Sequence, residues 1–595
     1  MNINHFNNVN KGNNTGTNYV KNSFINIFKR NKKLCLLLII TVCGVVITSL
    51  IPPQILKLII DKNLSTKKID GLFLLAIAYI SAILFIGIFD FIKEGILTIL
   101  GQKVTKEIRM EMMEKLEKIN MGYFSANGSG SIVSQFINDV DAINSMFTNG
   151  IVSMFIDCFK IIGIVVSIWI FSGKLGIITM LLLPIIYGIT RYFQKRMLKS
   201  QIQNRILVGK VNNHIGETFK TIHMIKVYSK EHYMEQKFTD YLLDNYRTIE
   251  KVNFYDSIFS PMIQIIRAVV IGMIVMISSK QLNILGMSIG MVAASIDLIS
   301  NLFSPIEQLG MELQSIQQAV SGIQRVNDFF QAPEDDMKNQ ELKAEDIIPN
   351  QSDVNLIFHN LTFYYEEGND IIRDISLNIN PLEKVTFVGR TGVGKSTLFK
   401  LILGLLKPSE GSITINGIDV YLIPNREKRK IFGYVDQSFH MIKGTVADQI
   451  SLQETYITKE QIEQALNYVG MLDYVLSLEH GLDTQITNDT LFSQGQKQLL
   501  SIARAIVTNP PILLLDEITA NLDSITEKEI VSVLQKASDN HVILSISHRL
   551  SSMIASDKVV ILENGRIKNS GSPEILIQKD EWYRSQVELE NLTWS

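Results

Sequence analysis

Six runs of roughly 20 mostly apolar residues crowd into the first half of this chain, and they fix half of its fold before any motif is considered. They are Leu34–Ile60, Gly71–Phe89, Ile151–Phe171, Leu175–Thr190, Ile258–Ile277 and Ile284–Phe303. Inside hydrocarbon every backbone N–H and C=O must be satisfied within the chain, so each run has to be a helix. Pro52-Pro53 interrupts the first run and reads as a kink or as its outer end. The fourth run is short, and Arg191 and Tyr192 anchor its end at the interface.

Charge orients the bundle. No Asp or Glu precedes Asp61, whereas Lys21, Lys29, Arg30, Lys32 and Lys33 do. The excess recurs at Lys103, Lys106 and Arg109, and at Arg191, Lys195, Arg196 and Lys199. The positive-inside rule therefore predicts a cytoplasmic N-terminus, and an even number of spans returns the chain to that side. Lys62, Lys67 and Lys68 make the first outer loop a mild exception. The outward connections are read at Ser172–Lys174 and Ser278–Gln281. The segments Lys103–Asn149 and Arg191–Phe254 carry charges at helical spacing, which predicts membrane helices extended into the cytoplasm.

The Asn-rich start reads as a disordered tail over residues 1–28, not as a secretory signal. A membrane domain is expected over 29–335, a linker over 336–353 and a soluble domain over 354–595. Cys35, Cys43 and Cys158 sit in apolar runs and read as buried small side chains. The formal net charge of -2 argues against a nucleic-acid partner.

The soluble half contains Gly389-Arg390-Thr391-Gly392-Val393-Gly394-Lys395-Ser396, a full G-x-x-x-x-G-K-[ST] phosphate loop. It lies between an apolar run (Val385–Val388) and an amphipathic run that begins at Thr397. Its backbone N–H groups and the following helix N-terminus suit a triphosphate. Lys395 would reach the outer phosphates, and Ser396 would hold Mg²⁺. Further on, Pro511–Glu517 is a buried-strand run that ends in Asp516 and Glu517. The first carboxylate suits Mg²⁺ and the second an attacking water. His548 follows a strand-like run at Val542–Ser547, and is structural or a γ-phosphate contact.

In this order the motifs resemble ATP-binding cassette (ABC) transporters, in particular half-size exporters, from about Lys29 to Glu590. Phe492-Ser493-Gln494-Gly495-Gln496 stands at the family signature, Ile512–Asp523 at the Walker B and D-loop run, and Tyr434–Gln437 at the Q-loop. Ser547–Leu550 resembles the switch-histidine segment, and Tyr365 stands at the aromatic that stacks on adenine. The resemblance implies an all-α polytopic membrane domain of six long helices followed by an α/β P-loop ATPase cassette. It implies ATP and Mg²⁺, with Glu517 and His548 catalytic and Asp516, Ser396 and Gln437 at the metal. ATP contacts would come from Tyr365, residues Gly389 to Thr397 and Gln437. Ser493, Gly495 and Gln496 would contact nucleotide held by a partner chain, with Asp523 at the cassette seam. A second half-transporter, identical or not, is therefore implied.

The pattern is broken in three places. Phe492 replaces the usual Leu, Gln494 replaces the first glycine, and Thr487–Leu491 replaces a Glu- and Gly-rich stretch, which puts the coupling route in doubt. Segments near Gly122–Ser131 and Glu217–Lys226 resemble coupling helices, with Phe124 and Phe219 either docking in cassettes or packing at home.

Charges inside spans are costly and mark function or pairing. Asp157 with Lys160, and Arg267 with Asp297, are either structural ion pairs or a polar pathway for a charged or amphipathic substrate. Before the first span the only histidine is His5 and no cysteine occurs, which disfavours a processing peptidase. The expectation is an ATP-driven exporter of an amphipathic, peptide-like or drug-like substrate in a prokaryotic plasma membrane. A lipid flippase and an ATP-binding regulator remain as alternatives.

Overall fold

A computed structural model describes residues 19–594, apart from 68, 286–287, 336–340, 351–352, 366–367, 438, 487–490, 519–523, 538 and 548–555. The chain forms two compact units. One comprises Met1–Glu117 with Gly128–Ala332, and the other Lys118–Asn127 with Pro333–Ser595.

The first unit holds six helical stretches long and apolar enough to cross a membrane: Lys32–Leu64, Leu72–Lys118, Ser129–Phe171, Gly173–Lys220, Glu231–Met276 and Ile289–Phe330. The 47-residue Leu72–Lys118 helix is about 70 Å long at about 1.5 Å per residue, more than twice a bilayer core of about 30 Å. The expected extensions beyond the membrane are thus continuous helix. Ile168, Leu175, Leu298 and Phe303 are buried where the third, fourth and sixth helices pack with the fifth.

One of the two readings of Pro52-Pro53 holds, and several other boundaries differ from expectation. The Pro52-Pro53 pair is a kink: the helix restarts at Ile51 with proline in its first turn, where a missing N–H costs nothing, and continues through a π-helical turn at Ile59–Leu64. The third and fourth helices are separated by Ser172 alone. The fifth helix does not turn back at Ser278–Gln281 but runs on to Leu285, because a polar helical end continues its backbone hydrogen bonds beyond the apolar run. The sixth starts at Ile289, not Ile284. There Asp61 accepts the Gly290 N–H at 2.8 Å and bonds the Ser288 hydroxyl, closing the helix N-terminus.

The tail reading is corrected from Tyr19 onward: Tyr19–Arg30 is a helix with Val20, Ser23 and Ile27 buried. Its Phe24 and Phe28 rings lie 5.8 and 5.5 Å from Phe147, and this apolar stripe at helical spacing explains its order. Residues 1–18 lie outside the described residues.

In the second unit a six-stranded sheet runs in the order Arg566–Gly571, Lys558–Glu563, Lys384–Val388, Val542–Ile546, Ile512–Asp516 and Phe432–Val435. The last five are parallel and the first is an antiparallel edge. The parallel strands are mostly apolar because both faces are covered, whereas the edge strand Arg566–Gly571 is largely polar and open to solvent. A second, antiparallel sheet orders Asp370–Ile379, Leu356–Tyr364, Glu410–Ile415 and Ile418–Asp419. Ile347 and Ile348, expected in a linker, are buried with Leu356 and Phe358 in this core: the short helix Ala344–Ile347 turns them inward. Lys118–Asn127 groups here through the Asn120 N–H bond to Pro333 O at 3.0 Å and the Asp335 N–H bond to Lys118 O at 2.9 Å.

Candidate nucleotide site

The parallel strands end together. Phe387, Ile546 and Asp516 are in register across three adjacent strands, so the chain leaves the sheet at one level in the phosphate loop, at Ser547 and at Glu517. Ligands of open parallel sheets bind beyond such carboxyl ends.

After Val388 the loop turns into the helix Lys395–Ile402. Gly394 caps it at φ +102°, a left-handed conformation that costs glycine little. Arg390 and Thr391 are exposed, Val393 and Thr397 are half-buried, and Lys395 is buried. Lys395 Nζ donates to the Gly389 carbonyl at 2.7 Å and to the Arg390 carbonyl at 3.3 Å, folding back into its own loop. Burial lowers its pKa, and the nearby Glu517 and Asp516 carboxylates oppose this. The loop borders a hollow of about 780 Å³, lined also by Asp370, Arg373, Gly565, Lys568 and Trp582.

Asp516 is buried, and its carboxyl is pushed up to about 6. Burial is the main cause, the Glu517 and Asp436 charges add to it, and the Ser396 hydrogen bond and Lys395 work against it. A buried carboxylate with this excess of negative charge, bonded to a hydroxyl beside a phosphate loop, suits a hard, oxygen-seeking Mg²⁺. Among the described residues no group of three or more His, Cys, Asp or Glu stands ready for a metal, and nucleotide oxygens and water would share the shell with Asp516 and Ser396.

Glu517 sits at φ +48°, and its N–H is held by the Ile546 carbonyl at 3.0 Å. This aims its side chain at Gln437, whose Nε2 donates to Glu517 Oε2 at 3.0 Å. The structure therefore gathers Lys395, Ser396, Asp516, Glu517 and Gln437. Tyr365 lies just past the strand Leu356–Tyr364, exposed and edge-on to Phe363 at 4.9 Å. His548, Asp523 and Thr487–Thr490 lie outside the described residues.

Ser493 caps the 13-residue helix Gln494–Ile506: its hydroxyl accepts the Gln496 N–H at 3.2 Å, and Gln496 Oε1 accepts the Ser493 N–H at 2.9 Å. Phe492 is buried against Tyr474, with rings 6.0 Å apart, so the departure from Leu fills a core position. Gln494 is exposed. Gly495 is required by packing, because a Cβ there would lie 2.3 Å from Thr526 Cγ2. No hydrogen bond or ion pair among the described residues joins this helix start to the phosphate loop of its own chain. Gln498, in the Lys497–Ala505 stretch that follows the signature and to which the sequence reading gives no role of its own, is 1 % exposed and donates from Nε2 to the Gln437 carbonyl at 2.9 Å. Its place five residues after the capping Ser493, on the same helix, is the available signal.

In the membrane unit no ion pair joins Asp157 to Lys160 or Arg267 to Asp297 among the described residues, although Lys160, one turn along the same helix, still acts on Asp157 through its charge. Arg267 is exposed on the fifth helix and Asp297 half-buried on the sixth. Asp157 is 3 % exposed within its own unit, so it faces neighbouring helices and not an open surface, because helix packing covers that side of the span.

Residues 34–306 match the family described as ABC transporter transmembrane region, and residues 372–520 match ABC transporter. The putative ABC transporter ATP-binding protein exp8 of Streptococcus pneumoniae is 27% identical over 82% of this chain and 83% of its own length. The ATP-dependent lipid A-core flippase of Syntrophus aciditrophicus is 26% identical over 95% and 94%. The solved structure of a bacterial Atm1-family ABC exporter with ATP bound shares the fold, with a TM-score of 0.77 at 22% identity over 93% of this chain and 97% of that one. With both regions joined in one polypeptide, this chain belongs to the ABC transporters, as a half-size, exporter-type member with an ATP-hydrolysing cassette.

Proposed function

We propose that two such halves, identical or not, pair in a prokaryotic plasma membrane and export an amphipathic, peptide-like or drug-like substrate by alternating access, with the cassettes on the cytoplasmic side. The observation that carries the hydrolytic part is the Glu517–Gln437 hydrogen bond beside Asp516 and Lys395. A module that only bound ATP would have no use for a carboxylate base held at that spot. The exposed Arg267 and half-buried Asp297, on adjacent membrane helices, support a polar pathway.

ATP would draw Lys395 Nζ away from its loop carbonyls to the β- and γ-phosphates. Ser396, Asp516 and Gln437 would hold Mg²⁺, which supplies charge neutralisation on the phosphates. Glu517, released from Gln437, would orient and deprotonate the attacking water, and the sequence resemblance assigns His548 to the γ-phosphate. The N-terminus of Gln494–Ile506 offers N–H groups and partial positive charge to nucleotide on the partner's loop, through Ser493, Gly495 and Gln496. Gln437 is joined to that helix through Gln498, so γ-phosphate contact and signature position move together.

A lipid flippase is the second reading, favoured by the near-complete overlap with the relative named for that activity. The test reconstitutes the chain in lipid nanodiscs and vesicles, wild type against Glu517→Gln. Mg²⁺-ATP hydrolysis lost in the variant, with dye-labelled amphipathic peptide accumulating only in wild-type vesicles, supports export. Lipid scrambling without peptide movement supports the flippase. Binding without turnover in the wild-type chain alone overturns the homodimer and calls for a partner chain.

A further inference from the structure

Asp157 on the helix Ser153–Phe171 and Glu312 on Ile289–Phe330 face each other where these two helices pack. Their carboxyl groups lie within hydrogen-bonding reach of one another. Asp157 is 3 % exposed and Glu312 5 %, and Asp157 Oδ2 and Glu312 Oε2 have no donor. Asp157 lies roughly 21 Å along its helix from the Phe171 end, at about 1.5 Å per residue, toward the Ile151 end of its apolar run.

Few charges surround the pair. Lys160, one turn along, and Lys93 from the second helix act on Asp157, and the Cys158 thiol is a neighbour of both carboxyls. Lys93 is already held by Asp90 at 2.9 Å and Glu94 at 3.1 Å. Among the described residues, Asp157 is the one charged group that acts on Glu312. Two carboxylates in contact at low dielectric cannot both stay ionised. One proton turns the contact into an O–H···O bond and leaves a single negative charge for Lys160 to offset.

We propose that Asp157 and Glu312 form a proton-binding site in the membrane half, loaded with one shared proton while the third and sixth helices are packed as here. Two further features support it. The π-helical turn Met146–Val152 leads directly into the helix of Asp157, and its Gly150 lies against Ile316, one turn beyond Glu312. Such turns let a helix shift and cluster at functional positions. Moreover Gln135 Oε1, Asn144 Oδ1 and Thr105 Oγ1 are also buried without partners, on the third span and the neighbouring second helix. Partnerless buried polar atoms are where ordered water sits, so this part of the unit can hold buried water. When the helices separate, each carboxyl ionises alone and the proton leaves. By linkage, loading the proton favours the packed state. The site belongs to the transport cycle and is independent of substrate identity.

The full-length chain in nanodiscs tests this, with its partner chain if one is needed. Infrared difference spectra should show a protonated-carboxyl C=O band in the wild type that is lost in Glu312→Gln and in Asp157→Asn. Either carboxamide keeps an N–H···O bond across the pair, so melting temperatures should stay near wild type. Trapping with ATP and vanadate in weakly buffered solution should exchange about one proton per chain more in wild type than in either variant. Absence of the band from the wild-type spectrum overturns the proposal, whether or not the variants fold and whether or not the chain hydrolyses ATP. So does an unchanged proton count in both variants.

Discussion

The side-chain amide of Gln498 donates to the main-chain carbonyl of Gln437 at 2.9 Å, so the helix that carries the signature residues holds the residue that restrains Glu517. Losing a buried bond of this kind costs about 1–3 kcal/mol. Gln498→Leu should fold, melt lower, and hydrolyse ATP several-fold more slowly with little change in ATP affinity. Steady-state kinetics and ATP titration separate the two effects.

Glu517→Gln keeps the size of the side chain and removes the base. Hydrolysis should fall roughly 10²–10⁴-fold. ATP should still bind, and the variant should accumulate in the nucleotide-bound form, measurable as retained labelled ATP after rapid gel filtration.

Asp516 makes the stability of the cassette sensitive to pH. Its folded-state pKa of about 6 lies above the ordinary value of 3.8, so the native state binds the extra proton between the two. Stability is then favoured at low pH, declines as pH rises from about 4 to about 6, and stays reduced above that. The penalty at neutral pH is about 3 kcal/mol at most, given about 1.4 kcal/mol per unit. Asp516→Asn should raise the nucleotide-free melting temperature at pH 7.5, flatten its pH dependence below 6, and abolish Mg²⁺-dependent turnover. Calorimetry across pH reads the first two.

Gly495→Ala drives a methyl group into Thr526 Cγ2, an overpacking cost of about 1–3 kcal/mol. Thr526→Ser removes that methyl. The double variant should recover part of the stability and ATPase lost by Gly495→Ala alone, and a double-mutant cycle on melting free energies measures the coupling.

Much of this architecture was legible because each signal had one physical meaning. Long apolar runs can only be helices in lipid, and Gly394-Lys395-Ser396 after an apolar strand can only turn tightly into a helix. Legibility failed where hydropathy and backbone part company. The polar Ser278–Gln281 looked like a turn, yet a helix carries polar residues at no backbone cost. Tyr19–Phe28 looked like tail because its neighbours are Asn-rich, although its aromatic spacing is helical. Glu312 was overlooked because it lies beyond the apolar window that ended at Phe303, and its partner Asp157 is 155 positions away in sequence. Thr526 beneath Gly495 and the Gln498 bond are products of tertiary packing and leave no local trace.

Lys395 has a wider consequence. With its ammonium seated on the carbonyls of Gly389 and Arg390, Lys395 has oxygens within its own loop that can stand in for those of a phosphate. Nucleotide exchange is then a swap of one set of oxygens for another around a cation that never goes unsolvated. The loop can keep its shape between turnovers, and product departure need not wait for water to flood a collapsing pocket.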